Sequence, residues 1–187
     1  VAGAYGRTIT ISAQLKRKTD SANLANQTLT YKVDGVVIGQ STTNSVGKAL
    51  LSYKIDENLT PGTHTLDVVF AGSTAYNAST GSSTLTAMQA TTRLTGVSVS
   101  GKPGATVTFV GKLKRTTDDK LLNGRTITFL VDGVSVGTAV TDANGTTSFA
   151  YTIPTTTTVG THTLDYNFAG DAYYLASASS GLQLTVN

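Results

Sequence analysis

The two histidines are the residues of this 187-residue chain best suited to acid–base or metal chemistry. His64 and His162 are the only histidines, and each lies in the same hexapeptide, Gly-Thr-His-Thr-Leu-Asp. A catalytic or metal-binding pair must be close in space, whereas a repeated segment places its copies about one domain length apart. By strand alternation, each histidine shares a face with a leucine, Leu66 or Leu164. We therefore predict that each is a hydrogen-bonded residue at the entry to a strand.

The other polar residues also argue against catalysis. Glu57 is the only glutamate, so a glycosidase with paired carboxylates would have to rely on aspartates. The one acidic pair is Asp118-Asp119, and its counterpart 98 residues earlier is Asp20-Ser21. The chain has no cysteine, which excludes disulfides and thiolate metal sites. We predict no catalytic residue, no cofactor, no transition-metal site and no hydrolase activity.

Calcium is the ion that the loops fit best, because it prefers several oxygen ligands. The oxygen-bearing candidates of the second half of the chain are Asp118, Asp119, Asp142, Asn144 and Asp171. However, the segment 142–145, Asp-Ala-Asn-Gly, is fully explained as a tight turn. We do not assign a metal site to these residues.

Covalent modification is a further chemistry that the sequence offers. Four asparagines match the N-glycosylation pattern Asn-x-Ser/Thr, and they are Asn26, Asn58, Asn77 and Asn144. An intramolecular isopeptide would need Lys112 or Lys114 and the terminal Asn187, and an ester would need Gln183. Neither cross-link has the corresponding residue in the other half of the chain, so we expect neither.

The composition points away from nucleic-acid and membrane partners. Charged residues are 13% of the chain and the net charge is +3. The only basic clusters are 16–18 and 112–115, without the interleaved aromatic residues of a nucleic-acid reader. No apolar run approaches the length of a membrane span. We expect no nucleic-acid binding and no membrane insertion.

The sequence is an internal duplication. Shifting it by 98 residues aligns 6–79 with 104–177 without a gap, and about 33 of the 74 positions are identical. The segment 33–36, Val-Asp-Gly-Val, recurs at 131–134, and Phe-Ala-Gly of 70–72 recurs at 168–170. We predict two homologous domains, 1–88 and 89–187, that superimpose along the whole gapless stretch.

Each copy shows the period of two that is typical of half-buried strands. In the second copy apolar residues alternate with polar ones over 107–113, 127–131, 149–153 and 164–168. Asp-Gly at 132–133 supplies the positive φ angles of a type I′ hairpin turn. About seven short strands in some 95 residues predict an all-β fold of two tandem immunoglobulin-like β-sandwich domains.

The segment 160–177, GTHTLDYNFAGDAYYLAS, resembles the signature of bacterial Ig-like repeats of the group-3 type. The family pattern runs approximately G-x-H-x-L-x-x-x-[YF]-x-G-D-x-x-Y-x-x-S. The first copy keeps most of it but has Ser73 where the aspartate falls. Such modules occur in arrays on bacterial and archaeal surface proteins, so the resemblance implies the sandwich fold and an extracellular or cell-surface location. It implies no chemistry.

We therefore expect a non-catalytic structural module of a surface protein: a stalk, a spacer or a filament-forming subunit. The expected partners are a second copy of the chain or neighbouring Ig-like domains. The alternative function is an adhesin or carbohydrate-binding module, with surface glycans as partners. Its only sequence support is Tyr173, an aromatic residue that replaces Ala75 of the first copy and could stack on a sugar.

The start of the first copy predicts an incomplete sandwich. Residues 91–99 are expected to form the first strand of the second copy, and only Val1 remains of the equivalent segment. We expect about six strands in the first copy and seven in the second. An open sheet edge invites strand addition, and head-to-tail fibres could result. Within this chain a donor would have to be 1–6 or the last strand around 182–186.

Overall fold

A computed structural model describes all residues 1–187, and its regular secondary structure consists of strands. The chain forms two compact units, Val1–Met88 (unit 1) and Gln89–Asn187 (unit 2). The predicted all-β fold with two immunoglobulin-like domains is confirmed. No helical segment with the length and apolar character of a membrane span is present.

Unit 1 has seven strands in two sheets. They are Ala2–Ala4 (β1), Thr8–Gln14 (β2), Thr28–Val33 (β3), Val36–Thr42 (β4), Lys48–Lys54 (β5), Gly62–Phe70 (β6) and Ser79–Met88 (β7). One sheet has the order β1-β7-β6-β3-β4, and the other contains only β2 and β5. All pairs are antiparallel except β1 with β7, which is parallel.

Unit 2 has eight strands and repeats this plan with one addition. They are Thr92–Gly96 (β8), Val99–Gly101 (β9), Thr106–Arg115 (β10), Thr126–Val131 (β11), Val134–Val140 (β12), Thr146–Thr152 (β13), Gly160–Phe168 (β14) and Ser177–Val186 (β15). The larger sheet has the order β12-β11-β14-β15-β9, and the smaller has β13-β10-β8. The addition is β8, which extends the smaller sheet.

The duplicated residues occupy equivalent places in the two units. Phe70 ends β6 and Phe168 ends β14, and each is 4% exposed in its core. The core of each unit lies between its two sheets because alternate residues of every central strand point inward. In unit 2 this core is aromatic: the Phe129 ring lies edge-on to Tyr166 and beside Phe109, with centroids 4.8 Å and 5.9 Å away.

The predicted turns are confirmed by their backbone angles. Asp34 and Gly35 have φ of 46° and 81°, and Asp132 and Gly133 have φ of 49° and 77°. Positive φ at both central residues defines the type I′ turn, whose twist matches that of the strands it joins. Gly145 has φ of 65° in the turn after Asp142, as the sequence predicted.

Two expectations about the first strands were wrong. The segment 91–99 is not one strand, because β8 leaves the smaller sheet after Gly96 and the chain enters the larger sheet at Val99, where β9 begins. Unit 1 therefore retains the counterpart of the second of these strands as β1. The strand numbers are seven and eight, not six and seven. The two proposed donor segments are also engaged within their own units, since Ala2–Ala4 pairs with β7 and β15 pairs with β14 and β9.

Candidate functional site

The most distinctive feature of unit 1 is the free edge of β2 in its smaller sheet. β2 pairs with β5 along one edge, at Thr8 to Gln14, and has no other neighbour. In unit 2 the corresponding strand, β10, pairs with β13 on one edge and with β8 on the other. Nothing in residues 1–187 takes the place of β8 beside β2.

In unit 2, β8 closes the sandwich through both backbone and side chains. It runs antiparallel to β10, with Leu94 opposite Leu113 and Gly96 opposite Gly111. The Leu94 side chain points inward and is 4% exposed. The Thr92 hydroxyl contacts the Leu175 carbonyl oxygen, at 2.9 Å, so β8 also contacts the larger sheet.

The absence of this strand changes the burial of identical residues. Leu113 and Arg115 are 0% and 2% exposed beneath β8. Their counterparts in unit 1, Leu15 and Arg17, lie at the open edge, where Leu15 is partly exposed and the Arg17 side chain is 44% exposed. Each arginine bonds an aspartate three residues later, so the local sequence is the same and only the covering strand differs.

The open position is a groove of about 660 Å³ between β2 and the exposed edge of β7. Its floor carries the inward side chains of β6, and its walls carry those of β2 and the small residues of β7. The lining residues used below are Ala13, Leu15, Leu66, Val68, Phe70 and Ser83. The groove is therefore apolar at its base and has hydrogen-bonding backbone along its rim.

The rim of the groove presents two backbone amides. The amides of Leu15 and Arg17 donate to the carbonyls of Gly47 and Ala22, on the side away from the groove. Because successive amides of a strand point in opposite directions, those of Gln14 and Lys16 point toward the open edge. The equivalent residues of β10, Lys112 and Lys114, lie opposite β8. This edge can therefore bind an extended peptide backbone.

Each histidine ties a hairpin turn to the loop before its strand, as the sequence predicted in part. His64 Nδ1 lies 2.6 Å from Asp34 Oδ2, and its Nε2 lies 2.8 Å from the Thr60 carbonyl oxygen. His162 makes the same contacts with Asp132 and with the carbonyl of Thr158. The aspartates were missed, although each repeats with its histidine at the same 30-residue spacing.

These contacts favour the doubly protonated imidazole. Both partners of each ring are acceptors, so both ring nitrogens must donate to satisfy them. The hydrogen bond with Asp34 raises the pKa of His64 above its usual value. For His162 the bond to the Thr158 carbonyl, followed by that to Asp132, also raises the pKa. The arrangement is a structural clasp that joins a hairpin turn to the loop before the next strand.

The candidate calcium ligands do not converge on one site, and each aspartate among them makes its own local contacts. Asp118 pairs with Arg115, and Asp119 pairs with Lys114. Asp142 accepts from the amides of its own turn, and Asp171 accepts from those of 173 and 174. No group of three or more His, Asp or Glu side chains is placed to hold a metal ion.

The candidate modification residues lie on the surface. Asn26, Asn58, Asn77 and Asn144 are all exposed and lie outside the strands, so N-glycosylation of each stays a prediction. Of the residues considered for cross-links, Lys112, Gln183 and Asn187 are exposed, and Lys114 pairs with Asp119. Tyr173 is half-buried, with its ring 6.5 Å from that of Tyr174.

Comparison with known proteins identifies the modules. The family model described as bacterial Ig-like domain (group 3) matches residues 2–88 and again 94–187. No curated protein sequence matches the chain. Among solved structures, the tetra-tandem repeat in the extending region of a large adhesion protein is 17% identical, with a TM-score of 0.50 over 98% of this chain and 46% of that one.

Two other solved structures are similar at lower TM-scores. The adhesin InvE of Yersinia pseudotuberculosis is 17% identical, with a TM-score of 0.43 over 100% of this chain and 56% of that one. The fibronectin(III)-like modules of Clostridium thermocellum CbhA are 16% identical, with a TM-score of 0.39 over 100% and 88%. At such identities a structural similarity speaks for the fold alone. With the family pattern present in both halves, the chain belongs to the bacterial Ig-like domain family, group 3.

Proposed function

We propose that this chain is a non-catalytic structural segment of an extracellular surface protein, serving as a stalk, a spacer or a filament-forming subunit. In this proposal unit 1 is completed by a strand that a neighbouring Ig-like module donates. Membership of the bacterial Ig-like family supports the structural role. The two His–Asp clasps and the buried Arg–Asp pair also support it, because each of these groups is used to hold loops and strands in place.

The observation that carries the proposal is the contrast between β2 and β10. The two strands are homologous, yet β10 is covered by β8 while β2 faces an open groove. An exposed strand edge beside an apolar groove is the arrangement that strand addition uses: backbone hydrogen bonds supply affinity and alternate side chains supply specificity. Since β8 begins four residues after β7 ends, a strand of this kind lies next to an Ig-like module in sequence.

The alternative, a carbohydrate-binding adhesin module, has weaker support. Tyr173, the aromatic residue proposed for sugar stacking, is half-buried against Tyr174. The groove of unit 1 is lined mainly by aliphatic and small polar residues, and the one aromatic ring in its lining, that of Phe70, is buried. We therefore propose that the chain binds a polypeptide rather than a glycan.

A peptide with the sequence of residues 89–99 tests the proposal on the intact, isotope-labelled chain. We expect the peptide to shift the amide resonances of Gln14 and Lys16 and to leave the equivalent resonances of β10 unchanged. A control peptide with Leu94→Asp should bind at least tenfold more weakly, because its charge would enter the apolar base of the groove. Failure of this peptide and of its variants at Gly96 to bind unit 1 would reject strand acceptance.

A further inference from the structure

The groove of unit 1 differs in shape from the site that β8 occupies in unit 2. Three residues beneath β8 differ in unit 1: two have smaller counterparts, and one has a counterpart larger by a methyl group. Tyr166 of β14 corresponds to Val68, and Leu182 of β15 corresponds to Ser83. Gly111 of β10 corresponds to Ala13. These differences all lie around the place where β8 has Gly96.

Gly96 is required in unit 2 by lack of space. A Cβ atom at this position would lie 2.2 Å from Tyr166 Cε2 and 2.6 Å from Leu182 Cδ1, far inside van der Waals contact. Gly96 is not among the glycines with positive φ, so its backbone conformation is open to other residues. The buried tyrosine ring therefore excludes any side chain from this position of the strand.

In unit 1, the residues that correspond to Tyr166 and Leu182 are too small to exclude a side chain from the position of Gly96. Val68 is only partly buried where Tyr166 is 0% exposed, and Ser83 ends at Oγ where Leu182 extends two carbons further. The Tyr166 hydroxyl also donates to the Val97 carbonyl, at 3.2 Å, and Val68 cannot replace this bond. A strand with glycine here would leave apolar space unfilled in unit 1, and an unfilled cavity weakens binding.

We propose that unit 1 selects a strand with the direction and register of β8 but with a branched or aromatic apolar side chain at the position of Gly96. This inference rests on the proposed function and names its partner: the linking strand of another Ig-like module, with apolar residues opposite Leu15 and Ala13 and polar residues between them. The chain's own β8 is a poor match for this groove. The same substitution that fits unit 1 is excluded from unit 2, so each unit accepts a different strand.

A peptide series tests this specificity on the intact chain. Three peptides of residues 89–99 carry Gly96, Gly96→Ala or Gly96→Val, and their affinities are measured by titration calorimetry. We expect affinity to rise in that order, by about tenfold or more from glycine to valine, because the added carbons leave water for the apolar groove. Resonance shifts at Gln14 and Lys16 verify that each peptide binds beside β2.

Variants of the acceptor complete the test. Ser83→Leu restores one obstructing side chain at an exposed position of β7, and Val68→Tyr restores the ring. Either should reduce or reverse the preference for valine, and Ser83→Leu remains informative if Val68→Tyr does not fold. Equal or tighter binding of the glycine peptide to the unmodified chain would overturn the specificity while leaving strand acceptance intact. No binding by any of the three peptides would reject strand acceptance itself.

Discussion

The fit between Gly96 and the Tyr166 ring makes a quantitative prediction for unit 2. Replacing Gly96 by valine places a Cβ 2.2 Å from Cε2 of the ring, so the strand or the ring must move. Overpacking of this kind costs about 1–3 kcal/mol, and occasionally more. For a domain of about 100 residues, each kcal/mol lowers Tm by about 4–8 °C. We therefore expect Gly96→Val to lower the Tm of unit 2 by about 4–24 °C.

A double-mutant cycle distinguishes this steric clash from nonspecific destabilisation of unit 2. Tyr166→Val alone should cost about 2–4 kcal/mol, because it removes a ring that packs against Phe109 and Phe129 and a hydroxyl that donates to Val97. In the double variant the valine at Gly96 enters the vacated space, as we infer for unit 1. The double variant should therefore be more stable than the sum of the single effects predicts, by about 1–3 kcal/mol.

The assay must report on unit 2 within the whole chain. Urea titrations followed by hydrogen exchange of the 106–115 segment provide this, because that segment is β10 itself. Thr95→Val, on the exposed face of the same strand, is the matched control and should change stability little. Additivity of Gly96→Val and Tyr166→Val within about 0.5 kcal/mol would refute the steric argument.

Three further predictions concern the groups that hold each unit together. Asp118→Ala should destabilise unit 2 by about 3 kcal/mol or more, because it removes the carboxylate that pairs with the buried Arg115. Asp20→Ala, at the exposed counterpart in unit 1, should have a small effect, and urea titration of both variants compares them. Thr141→Val should cost about 1–3 kcal/mol in the same assay, since its buried hydroxyl both accepts from and donates to the backbone. Because the pKa values of His64 and His162 are raised in the folded state, protonation of these rings stabilises the fold fully below about pH 6.5, and this contribution is lost as the pH rises through the folded-state pKa values. Thermal unfolding measured between pH 6 and 9 should show a falling Tm, and His-to-Gln variants should show a weaker dependence of Tm on pH.

The duplication, the strands and the hairpin turns could be predicted from the sequence because their signals are local. Alternation over a few residues defines each strand, and Asp34-Gly35 alone specifies a type I′ turn. The clasp between His64 and Asp34 could not be seen locally, since Asp34 lies in a hairpin turn and His64 lies on β6, 30 residues later. The recurrence of both residues at that spacing in the second copy was the available signal.

The sequence predicted an open edge in the first copy, but it did not predict how deeply each residue along that edge would be buried. Arg17 and Arg115 lie in nearly identical segments, and each pairs with an aspartate three residues later. One is exposed and the other buried because a distant strand covers only the second. The shape of the groove likewise depends on Val68 and Ser83, which lie on strands from the opposite sheet. Only the paired strands of the folded structure bring these residues together.

Amide hydrogen exchange tests the central claim most directly, namely that the edge of β2 accepts a strand in the way that β10 accepts β8. The measurement compares the unmodified chain with a chain that carries the sequence of residues 91–98, with the substitution Gly96→Val in that added copy, fused to its amino terminus. We predict that the amides of Gln14 and Lys16 exchange rapidly in the unmodified chain and become as protected as the equivalent amides of β10 after the fusion. Protection of both amides in the unmodified monomer, or no gain in protection after the fusion, would contradict this account.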